Sequence, residues 1–348
     1  MKILDKYIFD LILRSSAASL IALVFLFGFF QFIEELKELN NEAYGINTAL
    51  EYILLLVPSY AKELLVLSLM IGTILTIGKL NSNKELQIYL SASLSVNSIV
   101  KKTVKYPVYI LFFMMIVFEL ITPTTSSYAN QMKSEAKGVS IHTEANKAWL
   151  KKDNDIFLIN RDQNSKYLIN VFTVKDNELA SFTNGKSAQF SNSKLVSNDS
   201  KKIEIQNGNI RFFSDVETVL NLHKDETSII STNVKNMFFF ELLDKIVSSY
   251  KNEVSAKDFV LEFITRIVKP FTLIGMILLA VPYMLDLNRG ISIGNRVFLA
   301  LVIGTSTHLV TKILSVISLK YESLILIGPF LPSLFLILIG LTIMKLKL

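Results

Sequence analysis

Five polar residues run down one side of an otherwise apolar stretch, "IGTSTHLVTKILSVI": Gly304, His308, Thr311, Lys312 and Ser315. Their spacing of i, i+4, i+7, i+8 and i+11 places them on one face of a helix. Glycine and hydroxyl residues on such a face let helices approach, and a histidine hydrogen-bonds across the gap. Lys312 needs another reason. Either its stem snorkels so that the ammonium reaches the membrane surface, or the ammonium meets an anion. Lys62, Arg266 and Lys269 also interrupt apolar runs, as does one carboxylate, Glu119. Lysine and arginine hold phosphate strongly where water is partly excluded, so these cations have the makeup of an anionic-lipid site. A Glu119–Arg266 ion pair is the purely structural alternative. Glu119, His308 and Lys312 also read on paper as acid, base and electrophile, but nothing in their spacing sets their distances. The chain has no cysteine, and His142, His223 and His308 are too far apart for a zinc motif, which disfavours thiol and metal chemistry.

Membrane-spanning helices must position these residues. Of 348 residues 51% are hydrophobic and 19% charged, with a mean hydropathy of +0.43, outside the balance of a soluble globular domain. A bilayer core takes about 20 apolar helical residues. Six runs qualify: Leu11 to Ile33, Leu50 to Ile77, Ser98 to Ile121, Phe259 to Met284, Val297 to Ile317 and Ser323 to Met344. The first is too long, and lacks the cleavage pattern, for a signal peptide. Lys62 and Glu63 break the second just after Pro58. Either Pro58 closes an outer segment and the span proper is Leu64 to Leu80, or Lys62 faces a cavity.

Lys79, Lys84, Lys101, Lys102 and Lys105 flank the loop between the second and third runs, whereas Glu34, Glu35, Glu38 and Glu42 follow the first. The positive-inside rule makes the lysine-rich loop cytoplasmic, and Lys2, Lys6, Arg14, Lys345 and Lys347 put both termini on the same side. The formal charge of +6 reflects this placement of lysines and does not point to nucleic acid. Lys312, Lys62, Arg266 and Lys269 then collect towards the outer half of the membrane, against the rule. The long insertion lies outside. "DIFLINRD", "KYLINVFTVKDN", "KSAQFSNSKLVS" and "KKIEIQNGNIRFF" alternate with period two between Asn, Asp, Gly and Ser clusters, which predicts a β-sandwich, jelly roll or barrel. The expected division is residues 1–126 for three spans, 127–239 for the β-domain and 240–348 for a linker helix and three spans.

One polar segment, "NSNKELQIYLSASLSVNS", sits on the cytoplasmic side. Ser82 and Glu85 spell S-x-x-E, which predicts a capping box opening a short helix over about 82–95. Leu86, Tyr89, Leu90 and Leu94 form a narrow apolar stripe on it, suited to the membrane surface or to a soluble partner. The chain has no G-x-x-x-x-G-K-[ST] phosphate loop, so energised work would draw on another chain or on an ion gradient.

The runs "MKILDKYIFDLIL", "LNNEAYGINTALEYILLLVP", "LMIGTILTIGKLNSNKEL", "RIVKPFTLIGMILLAVPYML" and "GPFLPSLFLILIGL" resemble the LptF/LptG permease family, the first two leaning towards its LptG branch. The resemblance implies an α-helical inner-membrane protein with six transmembrane helices and an inserted periplasmic β-domain of jelly-roll type. It implies a transport subunit of an ABC exporter, without ATPase activity or cofactor of its own, that extracts lipopolysaccharide. The implied partners are an LptF-like permease, an LptB-like ATPase dimer that binds the ATP, and an LptC-like anchored β protein. Lys84 to Ser95 aligns with the family's coupling helix, which assigns Glu85, Leu86, Tyr89 and Leu90 to ATPase coupling. In this sequence Leu90 stands where the family usually has Arg, and Ser93 where it has Gly. Lys62, His308, Lys312, Arg266 and Lys269 are the expected cavity residues. The LptF paralogue, or an envelope scaffold with a β binding module, are the alternatives.

Overall fold

The computed structural model describes residues 2–37, 39, 44–91, 95–136, 147–152, 155–161, 167–175, 178–191, 194–197, 200–206, 209–214, 218–220, 234–251, 256–284, 293–321 and 324–347. The chain divides into two compact units, one of residues 1–40, 45–129 and 261–348, the other of 41–44 and 130–260.

In the first unit α1 (Lys2–Leu36), α2 (Ile46–Ser82), α3 (Glu85–Ser91) and α4 (Val96–Ala136) precede the insertion. After it come α6 (Lys257–Met284), α7 (Ile293–Lys320) and α8 (Leu331–Lys347). All but α3 are long and apolar enough to cross a membrane, which gives the six expected spans. They are not equivalent. In α2 and α6 most of the apolar window is buried (67% and 61%), so these two form the interior and the other four surround them. Leu65, Leu69, Met70, Ile74 and Ile77 of α2 share the core with Ile12 of α1, Leu111 of α4 and Leu273 and Ile277 of α6. Dispersion between close backbones must replace the hydrophobic drive that lipid removes. Gly72 meets that need, because a Cβ there would run into the backbone of Ser16 on α1. Gly340 of α8 lies against the backbone of Leu278 on α6 in the same way. Several buried hydroxyls bond within their own helices, as when Thr73 donates to the Leu69 carbonyl (2.6 Å) and Thr307 to that of Ile303 (2.7 Å).

Pro58 does not divide the second span, since α2 continues through it from Ile46 to Ser82. A proline costs the helix one hydrogen bond, and the packing of α2 on α1 and α7 outweighs that cost. The last span begins later than its hydropathy suggests. Gly328 to Phe330 form a 3₁₀ turn, and Pro329 and Pro332 fit only a helix start, so α8 opens at Leu331.

The junction after α2 also differs from the expected capping box. Ser82 is still helical, and its hydroxyl donates back to the Lys79 carbonyl (3.0 Å). Lys84 adopts φ 58°, the left-handed conformation that ends one helix and allows another to leave at once. The short helix therefore starts at Glu85, and its described part ends at Ser91; Leu94 lies outside the described residues.

The second unit carries eight described strands, β1 (Lys147–Lys152), β2 (Asp155–Arg161), β3 (Tyr167–Lys175), β4 (Glu178–Ser191), β5 (Lys194–Ser197), β6 (Ser200–Gln206), β7 (Asn209–Phe213) and β8 (Thr218–Leu220). All the described pairings are antiparallel, β1 through β5 in sequence order, with β6 joining β4 to β7 and β8 returning to β5. This is the inserted β-domain that the alternation predicts. Two stretches expected as single units are hairpins, β4/β5 and β6/β7, the second with Asn207-Gly208 between its strands in sequence. β4 is long because, while β3 pairs along one edge, its other edge takes two partners in turn, β6 along Ser181–Gly185 and β5 along Ala188–Ser191. Gly185 sits where it changes partner, and a Cβ there would crowd the Ser197 side chain. On one face Phe172, Phe182, Ile203 and Phe212 align across β3, β4, β6 and β7, and the first two rings lie 5.0 Å apart. The amphipathic helix α5 (Phe239–Lys251) follows the strands. His142 and His223 lie outside the described residues.

Candidate functional site

Two arrangements in the first unit concern function: an ionic cluster among the spans and the short helix α3. In the cluster, the Lys62 ammonium on α2 binds Glu119 Oε2 on α4 at 2.9 Å. Arg266 on α6 donates from Nη1 to Glu119 Oε1 at 2.6 Å and from Nε to Glu262 Oε1, one turn earlier on α6, at 2.9 Å. Lys62 and Arg266 are 8% and 2% exposed, and a charge that far from water persists only when paired. Glu119 thus ties three helices through its two oxygens.

Lys269, three residues after Arg266 on α6, is partly buried and within electrostatic reach of Glu262, Glu63, Lys62 and Arg266. Among the described residues it makes no ion pair. Counted with Lys312, four cations among the described residues (Lys62, Arg266, Lys269 and Lys312) face three carboxylates (Glu119, Glu262 and Glu63), a positive excess of one. The neighbouring Glu63 turns to α7 instead, where Lys312 Nζ lies 3.1 Å and His308 Nε2 3.9 Å from Glu63 Oε1. Gly304, one turn before His308, packs against the Leu67 side chain of α2, whose tip would have to shift to admit a Cβ there.

The five expected cavity residues thus fall into two adjoining groups, Lys62 with Arg266 and Lys269, and Lys312 with His308. The Glu119–Arg266 pair posed as the structural alternative is present, and it includes Lys62. Glu262 went unread, and Glu63, noted only as a break in the second run, was given no partner. The Glu262–Arg266 spacing of i, i+4 was a usable signal for the first. No signal in the sequence pairs Glu63 with a lysine on a distant helix. The cluster has the means to hold a negatively charged group. It has no nucleophile set beside a base, and no group of acidic and histidine residues suited to a metal occurs among the described residues.

In α3, Glu85 works as an intramolecular anchor. Its Oε1 accepts from Asn83 Nδ2 (3.0 Å) and from the Tyr7 hydroxyl of α1 (3.3 Å), and its Oε2 from the Tyr89 hydroxyl (3.5 Å). Burial, and then the charge of Glu85, push the Tyr89 phenol above its ordinary range. Leu86 does not face outward as the stripe reading required. It is 1% exposed and part of the bundle core, because the apolar stripe of α3 turns towards its own helices. Tyr89 is half-buried on the same side; the side chain of Leu90 lies outside the described residues. The bare surface is formed by Lys84, Gln87, Ile88 and Ser91, at i, i+3, i+4 and i+7, with Ile88 63% exposed.

The sequence that builds these spans, the β-domain and the short helix matches a known family. The family described as lipopolysaccharide export system permease LptF/LptG matches residues 6–346. The chain belongs to this family. Similar LptF/LptG members are the lipopolysaccharide export system permease protein LptG of Haemophilus influenzae, 24% identical over 342 residues and 95% of each chain, and its namesake of Escherichia coli K12, 23% identical over 354 residues, covering 99% of this chain and 98% of that one. The LptF/LptG match takes in both halves of the membrane unit and the β-domain between them, so the cluster and α3 both lie within it.

Proposed function

We propose that this chain is an LptG-type permease subunit of an exporter that extracts lipopolysaccharide from the bacterial inner membrane, driven by a separate ATPase. The observation that carries the proposal is the build of α3. A seven-residue helix fixed to the bundle through Leu86 and Glu85, and bare along Lys84, Gln87, Ile88 and Ser91, is suited to taking a push from outside and passing it inward. The lysines that crowd this end support a topology with α3 and both termini in the cytoplasm and the β-domain in the periplasm. An LptF-like permease would complete the cavity, an LptB-like ATPase dimer would bind α3, and an LptC-like β protein would receive the lipid.

On this reading Lys269 with Lys62 and Arg266, and Lys312 with His308, contact the phosphates of the lipid in the outer half of the membrane. The excess positive charge supports that assignment, and the ion pairs to Glu119 and Glu63 hold the cations ready until the lipid arrives. The aligned Phe172, Phe182, Ile203 and Phe212 are a fit surface for acyl chains beyond the membrane.

Co-purification of the tagged chain with a soluble ATPase tests the proposal. Wild type should recover the ATPase in fixed ratio, and Ile88→Asp should lose it while eluting as the same monodisperse species. An ATPase retained undiminished by Ile88→Asp would remove α3 from the coupling path. No ATPase at all with folded wild type would overturn the exporter.

A further inference from the structure

Helix α5 has two apolar sides, and only one of them is covered. Leu242 and Ser249 are fully buried, whereas Phe240, Val247 and Tyr250 are 78%, 66% and 70% exposed. With the half-buried Leu243 these three sit at i, i+3, i+7 and i+10, a continuous stripe along the helix. Glu241, Asp244, Lys245, Ser248 and Lys251 occupy the rest of the circumference. The Phe239 ring stacks edge-on against that of Phe240 at 5.9 Å, thickening the N-terminal end of the stripe. A helix held on one side and bare on an adjacent side has a fixed surface to offer, not a loose one.

The covalent chain decides what covers it. α5 ends at Lys251 and the membrane-crossing α6 begins at Lys257. The intervening residues span at most about 20 Å when fully extended, so the end of α5 cannot leave the neighbourhood of the bilayer surface. Phe and Tyr on one side and lysines on the other are the residues that settle at the boundary of headgroups and acyl chains. The polar face carries two acids and three basic or neutral groups with no strong bias, so apolar burial would hold it there rather than attraction to anionic lipid. We infer that α5 lies in the plane of the bilayer surface, with Phe240, Leu243, Val247 and Tyr250 sunk among the acyl chains. The inference rests on the membrane reading of the chain and not on its substrate.

The absence of cysteine makes the test direct. Single variants Val247→Cys, Tyr250→Cys, Glu241→Cys and, as a reference in the last span, Leu338→Cys are spin-labelled in the full chain and placed in nanodiscs of phosphatidylcholine and phosphatidylglycerol. Collision with oxygen, which concentrates in lipid, is compared with collision with a water-soluble nickel chelate. Positions 247 and 250 should prefer oxygen severalfold, as 338 does, and 241 should prefer nickel. Nickel access at 247 and 250 like that at 241 would overturn the inference. So would exclusion of both reagents there, which would mean that protein covers the stripe. Nickel access at 338 as well would sink the membrane reading itself, whereas oxygen preference at 338 alone sinks only the placement of α5.

Discussion

Glu119 has the most demanding position of any single residue described, with one oxygen on Lys62 and the other on Arg266. Removing one member of a buried ionic group leaves its partners charged and uncompensated, at about 3–5 kcal/mol. Glu119→Gln is accordingly expected to lower the melting temperature of the detergent-purified chain sharply. Lys269→Met should behave in the opposite way, because no ion pair is lost: melting should hold, while lipopolysaccharide recovered with the purified chain falls several-fold. A lipid yield unchanged in Lys269→Met would take that lysine out of the site. The Lys312–Glu63 contact is half exposed in the isolated chain, where such pairs contribute about 0–1 kcal/mol, so Lys312→Met should also leave melting nearly intact. The cations were legible in the sequence because charge inside an apolar run is conspicuous. Their carboxylate partners were less so, since ion pairing between helices depends on a rotation about each axis that no linear pattern records.

At the scale of elements, the coupling proposed for α3 would rest on different residues from those that anchor it. Leu86→Ala removes a fully buried side chain and should cost about 2–5 kcal/mol, read as a drop in melting temperature, whereas Ile88→Asp should leave melting unchanged and abolish ATPase recovery. Tyr89 adds a pH dependence. Its phenol is held above the ordinary value, so the folded state binds its proton more tightly than the unfolded one. The stabilisation is complete below about pH 10 and is lost as pH rises through the raised value, so amide exchange in α3 should accelerate there, and less so in Tyr89→Phe. Several elements hid behind ambiguous local signals. S-x-x-E suggested a cap at Ser82, but Lys84 in the left-handed conformation starts the helix three residues later. β4 runs through Asn184-Gly185, where a Cβ on the glycine would crowd Ser197 as the strand passes from one partner to the next. Alternation showed β structure without revealing where a run folds back on itself.

For the whole molecule, the number and approximate ends of the spans were legible because a bilayer sets their length and composition. Which spans lie inside was not, since an apolar residue facing lipid and one facing a neighbouring helix look alike in sequence. The glycines offer the remaining clue. Gly72→Val would force the backbones of α1 and α2 apart at Ser16, and a fall in monodisperse yield and melting temperature should follow.

The turn at Lys84 has a mechanical consequence. α3 leaves α2 with only Asn83 and Lys84 between them, and from Ser82 α2 runs unbroken to Lys62, a lever arm of about 30 Å at 1.5 Å per residue. A rigid tilt of about 10° at the Ser82 end would sweep Lys62 through about 5 Å, well beyond the 2.9 Å of its bond to Glu119. A small stroke against α3 would then act as a trigger at the far end of α2, unlatching an ammonium from its carboxylate.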